Sequence, residues 1–312
     1  MAFQVRPIAF KPKHLNGLSA RLLASHYENN YGGAVRRLNA IRSDLERLAV
    51  AGAPGFVLNG LKREELIATN SMLLHELYFD GLGGNGGAPE GALAAAIDRD
   101  FGSFERWRTE FTAMGRALGG GSGWVVLTRS PRDGSLVNAW AADHTHAVAG
   151  GTPVLALDMY EHAYHLDFGT NAAAYVDAFM NNIHWPRIAA RFAGAAVQPP
   201  SQIIDPMAAR QRLDGEADIV VIDARLAEDA AALPVCLRGA RRAPPDQVDA
   251  IARSLPRGSK AIVYCAWGFE IGGDCAARLR EHGIDAVAIE GGLGAWRADG
   301  LPTEPLTEGE HA

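Results

Sequence analysis

Two sets of side chains in this 312-residue chain are of types that do chemistry. The first is His26, His75, Asp158 and His162. Taken singly, His26 in Ser25-His26-Tyr27 and His75 in Leu74-His75-Glu76 read as packed or surface histidines. Asp158-Met159-Tyr160-Glu161-His162 shifts that weighting, because an Asp at the end of an apolar strand with a His four residues on brings a carboxylate and an imidazole together. Three imidazoles and one carboxylate with a position left open suit a mid-row metal such as iron or manganese. The second set is Cys265 alone, at the end of the apolar run Ala261-Ile262-Val263-Tyr264 and just before a helical stretch. Backbone N–H groups and the helix dipole at such a place favour a nucleophilic thiolate. A buried inert thiol is the competing reading, and for a lone strand-end cysteine it comes first. Cys236 and Cys275 lack this setting and read as structural, and without CxxC spacing no zinc site is expected.

The elements that must carry these residues fall into two parts. Residues 18–48 and 63–82 have helical patterning, and the second stretch ends in the Gly-rich run 81–87. Shorter helices are expected at 91–99 and 103–118. Strands follow at 123–128, 136–141 and 154–157, and helix returns over 172–192. Pro199-Pro200 then stops the helix and marks a boundary. Beyond it, apolar runs at 219–222, 261–264 and 286–289 alternate with amphipathic stretches at 245–254 and 272–282, the pattern of a parallel sheet with crossover helices. The expected fold is α+β for residues 1–195, a helical hairpin followed by a part with a three-stranded antiparallel sheet. A linker at 196–201, an α/β domain at 202–306 and a tail at 307–312 complete it.

Composition narrows the function classes. With 48% hydrophobic and 21% charged residues, the chain can bury a sizeable core. No apolar run reaches the ~18 residues a membrane span needs. Arg6, Pro7, Lys11 and Lys13 interrupt what would be a secretory signal. Three cysteines suit a reducing compartment, so a cytoplasmic protein is expected. The net charge of −6 lies wholly after residue 200, and neither part is basic enough to expect nucleic acid as a partner.

Residues 1–195 resemble the iron/manganese superoxide dismutases. The resemblance rests on Ser25-His26-Tyr27 with Leu38-Asn39, on Asn70 with His75, Tyr78 and Phe79, on Phe101-Gly102-Ser103-Phe104, and on Gly121-Ser122-Gly123-Trp124. The most specific stretch is Asp158-Met159-Tyr160-Glu161-His162-Ala163-Tyr164. It implies one iron or manganese per chain held by His26, His75, Asp158 and His162, a bound solvent molecule, and superoxide as substrate. It also implies a homodimer or higher symmetric oligomer, with Glu161 reaching across the interface to the partner's metal-binding His. In the family a Tyr usually stands eight residues after the first His ligand and a His four residues after it; here these are Ala34 and Asn30. The Tyr that usually partners that His is His165, so an Asn30–His165 hydrogen bond across the dimer is expected in its place. The Gln that usually contacts the bound solvent corresponds to Ser71, too short to reach, or to His144. The resemblance makes His144 the solvent's partner. Tyr160 and Phe79 replace tryptophans of the surrounding wall.

Residues 202–305 resemble a single rhodanese domain. The match rests on Val221-Ile222-Asp223-Ala224-Arg225, the Cys265-Ala266-Trp267-Gly268 loop, and Glu290-Gly291-Gly292-Leu293-Gly294-Ala295-Trp296. It implies that Cys265 takes sulfane sulfur from a small donor as a persulfide and passes it to an acceptor. Glu270, where Arg, Ser or Thr is common, disfavours thiosulfate as that donor. Three readings stand. The chain is a dismutase with a fused sulfur-handling domain, a slow or inactive dismutase whose main activity is sulfur transfer at Cys265, or a sensor of persulfide or peroxide.

Overall fold

Ser19 opens the helical part: its side chain accepts the Leu22 N–H at 3.1 Å, an N-cap bond that starts α1 (Ala20–Ser25). The computed structural model describes residues 2–194, 203–216, 218–268 and 270–306, the side chain of Glu270 excepted. The expected linker and tail therefore lie outside the described residues. The chain divides into two units, residues 1–3 with 9–197 and residues 4–8 with 198–312.

In the first unit, the helix expected over 18–48 is broken. A π turn, His26–Tyr31, separates α1 from α2 (Gly32–Arg47). The extra residue of a π turn aligns positions five apart, so His26 and Tyr31 face the same way. Helix α3 (Gly55–Gly81) begins well before the expected residue 63 and packs against α2. Helices α4 (Gly91–Phe101) and α5 (Phe104–Ala117) follow, with Ser103 capping the second.

Strands β1 (Trp124–Arg129), β2 (Leu136–Ala141) and β3 (Thr152–Asp158) form an antiparallel sheet of order β2-β1-β3. The register sets Trp124 opposite Asp158, which brings the end of the sheet to the candidate site. Gly123 has φ +135° and a Cβ there would meet Ala141 O at 2.2 Å, so only glycine lets the chain enter β1 at this point. Residues 172–192 form two helices rather than one. After the short α6 (His165–Phe168) come α7 (Ala172–Asn181) and α8 (Trp185–Phe192), parted where Ile183 bridges to Leu82. Pro186 near the start of α8 cannot continue the preceding helix, and His184 Nδ1 accepts the Arg187 N–H at 3.2 Å to cap the new one. Trp107, Phe111, Trp124, Tyr175 and Phe179 fill the core between these helices and the sheet.

The second unit is a five-stranded parallel sheet. In chain order its elements are β4 (Ile203–Ile204), α9 (Pro206–Gly215), β5 (Ile219–Asp223), α10 (Ala227–Ala232), β6 (Val235–Cys236), β7 (Arg241–Arg242), α11 (Val248–Ser254), β8 (Lys260–Tyr264), α12 (Glu270–Glu281), β9 (Asp285–Ile289), α13 (Gly292–Ala298) and β10 (Glu304–Pro305). The sheet order is β4-β9-β8-β5-β7, with β6 and β10 paired apart. Ile222, Val263, Ala286 and Ala288 pack on one layer of helices and Val221, Ile262, Tyr264 and Ile289 on the other, which explains why these strands read as unbroken apolar runs. Among the described residues no helix is long and apolar enough to cross a membrane.

Candidate metal centre

Four elements converge on one point. His26 opens the π turn, His75 lies in α3, Asp158 ends β3, and His162 sits in the 3-10 turn Glu161–Ala163. Their donor atoms all lie within 4.8 Å of one another. Asp158 Oδ2 is the hub, 3.0 Å from His26 Nε2, 3.1 Å from His162 Nε2 and 3.6 Å from His75 Nε2. His75 and His162 Nε2 are 3.4 Å apart. Donor atoms each ~2.1 Å from a single ion are ~3.0–3.6 Å from one another, so these spacings fit one transition-metal ion.

Proton positions point the same way. His75 Nδ1 donates to Ser71 O at 2.6 Å, so its Nε2 carries a lone pair. That lone pair faces the Asp158 carboxylate, acceptor to acceptor, and both side chains are buried. Such a pair is costly unless a cation lies between. The other carboxylate oxygen, Oδ1, accepts the Tyr160 N–H at 2.9 Å, and Tyr175 donates its hydroxyl to Asp158 O at 2.7 Å. These bonds fix the hub's orientation. His26, His75 and Asp158 are buried, and His162 keeps 25% of its side chain exposed, so access is from its side.

Burial sets the charge states. It lowers His26, and it lowers His75 to about 3, helped by the neighbouring His26. Burial pushes the Asp158 carboxyl up, but the charge and hydrogen bonds of His162 and His26 outweigh it and hold the carboxyl below its usual range. Neutral His26 and His75 beside an ionised carboxylate are protonation states a metal requires. This has a consequence for the stability of the metal-free protein. Below about pH 6.5 the unfolded chain protonates these histidines while the native state does not, so stability falls as pH drops from there toward the native His75 value of about 3. The slope is ~1.4 kcal/mol per pH unit for each such group. Urea unfolding of metal-free protein between pH 7 and pH 4 measures it, and a flat profile contradicts it.

A second layer of rings surrounds the four. Trp124 Nε1 donates to His144 Nδ1 at 3.0 Å, which leaves the His144 proton on Nε2, and Asn70 holds the His144 carbonyl at 2.6 Å. Tyr160 lies between His144 and His162, nearly parallel to both, at centroid distances of 4.8 and 5.4 Å. Tyr78 and Phe79 cover His26 at 4.8 and 5.0 Å. Ser71 supports His75 through its carbonyl. Ala34 is buried, and Glu161 is exposed beside His162.

Several proteins are similar to this chain over its first 195 or so residues. A family model described as "Iron/manganese superoxide dismutases, C-terminal domain" matches residues 89–191. A "Superoxide dismutase [Fe]" of Cupriavidus metallidurans is 69% identical over 195 residues, 62% of this chain and 98% of that protein. The chain belongs to the iron/manganese superoxide dismutase family. More distant members of the family match over a similar span. A "Superoxide dismutase [Mn] 2" of Haloferax volcanii is 33% identical over 62% of this chain and 96% of its own length. A "Superoxide dismutase [Fe]" of Aquifex aeolicus is 33% identical over 58% and 87%. Both metals thus occur among the names of this dismutase's relatives.

Two tyrosines next to the centre are not legible in the sequence pattern. Tyr175 reads as one more core aromatic of α7, yet it binds the Asp158 carbonyl. Tyr31 lies against His75 at a centroid distance of 6.3 Å, and no spacing rule that assumes a continuous α-helix puts it there.

In the second unit, Cys265 follows β8 and is 4% exposed, and its Sγ accepts the Gly268 N–H at 3.2 Å. Gly292 has φ +57°, and a Cβ on it would meet Cys265 O at 2.3 Å, so glycine is needed where α13 packs under the loop. Leu293 N–H donates to that same carbonyl at 2.8 Å. Cys236 and Cys275 are buried, and burial pushes the Cys275 thiol up to about 11, in keeping with a structural role.

Proposed function

We propose that the first unit disproportionates superoxide to oxygen and hydrogen peroxide with iron or manganese held by His26, His75, Asp158 and His162. The observation that carries this reading is the His75 lone pair set against the Asp158 carboxylate, an arrangement a bound cation resolves. A metal bound there would supply the one-electron couple needed to take an electron from one superoxide and give it to another. Three neutral imidazoles and one carboxylate balance its charge only in part, which suits a site that attracts an anion. Tyr160, Phe79 and Tyr78 keep water from all but the His162 side. His144 is the proposed partner of bound solvent, with Trp124 holding its tautomer so that Nε2–H is the donor. Exposed Glu161 suits the carboxylate that reaches the partner's metal-binding His in a homodimer, and Asn30 with His165 the altered contact beside it.

Metal content by mass spectrometry, paired with a dismutation assay, tests the reading. Near one iron or manganese per chain with activity that disappears in His26→Ala is the expected result. A metal-free or fully loaded but inactive protein overturns it. Trp124→Phe removes the donor to His144 Nδ1 and is expected to lower turnover about 10-fold with metal content unchanged. An unaltered rate excludes His144 from solvent contact.

The second unit favours an additional activity, because a sulfur held by a backbone N–H sits at the strand end that opens onto a helix. We propose that Cys265 carries sulfane sulfur as a persulfide, taken from a small donor and passed to a thiol or another nucleophile. Cys265→Ser is expected to abolish persulfide labelling and sulfur transfer while leaving dismutation unchanged. Persulfide formation that persists in the variant removes Cys265 from this role.

A further inference from the structure

Tyr31 is 1% exposed, although nothing in its sequence context predicts burial. It closes the π turn that His26 opens, and the five-residue offset of that turn points both side chains toward α3. In an uninterrupted α-helix, at 3.6 residues per turn, the two would point to different sides. Its ring stacks on His75 at 6.3 Å and 26° and also meets Phe79 and Tyr27. Its hydroxyl donates to Glu76 Oε1 at 3.1 Å, and Glu76 directly follows His75. One helical turn further on, Ala34 offers only a methyl group. The His75 imidazole meets Ser71 O at Nδ1, the Trp124 ring at 5.2 Å and 85°, the fellow ligands His26 and His162 at 5.0 and 5.6 Å, and Tyr31.

We propose that Tyr31, through its hydrogen bond to Glu76, is a positioning residue of the metal centre that sets the plane of His75. The ring gives His75 a flat wall, and the hydroxyl ties the π turn to α3 next to the imidazole it supports. Without that tie the wall and the ligand can tilt relative to each other, which alters how His75 presents Nε2.

This inference rests on the proposed metal site, and its test separates the two. Wild type, Tyr31→Phe, Glu76→Ala, Glu76→Gln and the Tyr31→Phe/Glu76→Ala double variant are loaded with metal. Their metal content, visible absorption, azide affinity and melting temperature are then measured. Tyr31→Phe keeps the ring and loses only the hydroxyl. Metal content near wild type, a shifted visible band and an azide affinity changed by about 10-fold are expected for Tyr31→Phe and for Glu76→Ala. The double variant should change no further than either single one, because both remove the same bond. Glu76→Gln, whose amide oxygen still accepts, should stay close to wild type. If Tyr31→Phe does not fold, Glu76→Ala and Glu76→Gln carry the same comparison. Wild-type spectrum and azide affinity in Tyr31→Phe or Glu76→Ala, or additive effects in the double variant, overturn the role of Tyr31. A wild-type protein that takes up no iron or manganese overturns the metal site itself.

Discussion

Asp158→Asn is expected to lose the metal and bring dismutation to background. Asp158 Oδ2 lies within 3.6 Å of all three imidazole nitrogens, and it supplies the negative charge of the four-residue cluster. An amide keeps the shape and removes that charge, and one of its two orientations aims a donor at the lone pair of His75. Changes to groups that merely support metal ligands cost about 10–100-fold in metal affinity, so loss of the hub ligand should exceed that. Wild type should gain stability on adding metal, and the variant should not. Metal content, dismutation rate and paired melts read all three effects, and a loaded, active Asp158→Asn protein removes Asp158 from the ligand set.

Asp223→Ala should destabilise the second unit by about 3–5 kcal/mol, the range for breaking a buried ion pair from one side. Arg225 is fully buried at the end of β5, and its guanidinium meets both Asp223 oxygens at 2.6–3.1 Å. Two further N–H groups bond to Leu233 O and Val235 O at 2.8 Å, and Arg242 Nη1 approaches Asp223 Oδ1 at 3.4 Å. Burial alone would lower the Arg225 pKa; the hydrogen bonds and charge of Asp223 more than offset it. Alanine leaves two cationic groups without the carboxylate that neutralises them, whereas Asn keeps part of the hydrogen bonding and should cost less. Calorimetry should show the second unit's transition lowered by more than ~10 °C. A shift of only a degree or two means the cluster is replaceable polar packing.

Much of the fold was legible because local patterns and tertiary packing agree. The Gly-rich run 81–87 ends α3 as expected, and the three strands of the first unit fall within two residues of their expected places. In the second unit the apolar runs are strands because both faces of the sheet are covered by helices. Where local pattern and packing diverge, the pattern misleads. Residues 18–48 have helical spacing throughout, yet one turn is a π turn, since an extra residue there shifts the phase of α2 against α1 without changing residue types. Pro186 was a visible sign that 172–192 breaks. Pro54, at the N-cap of α3, was likewise a visible sign that this helix starts before residue 63.

The sequence by itself determined which residues form the candidate centre, because Asp158 and His162 sit four apart in a specific stretch and His26 and His75 fall in matching contexts. It also showed an uneven chemistry along the chain, with eight of the ten histidines before residue 185 and all three cysteines after it. Only the tertiary structure decided how the centre is held. The tautomers of His75 and His144 depend on Ser71 O and the Trp124 N–H, and the Tyr160 sandwich and the Tyr31–Glu76 bond join residues from separate elements. The physical reason is that a ligand's identity is a property of its side chain, whereas its proton position and plane are set by neighbours that only folding brings into reach.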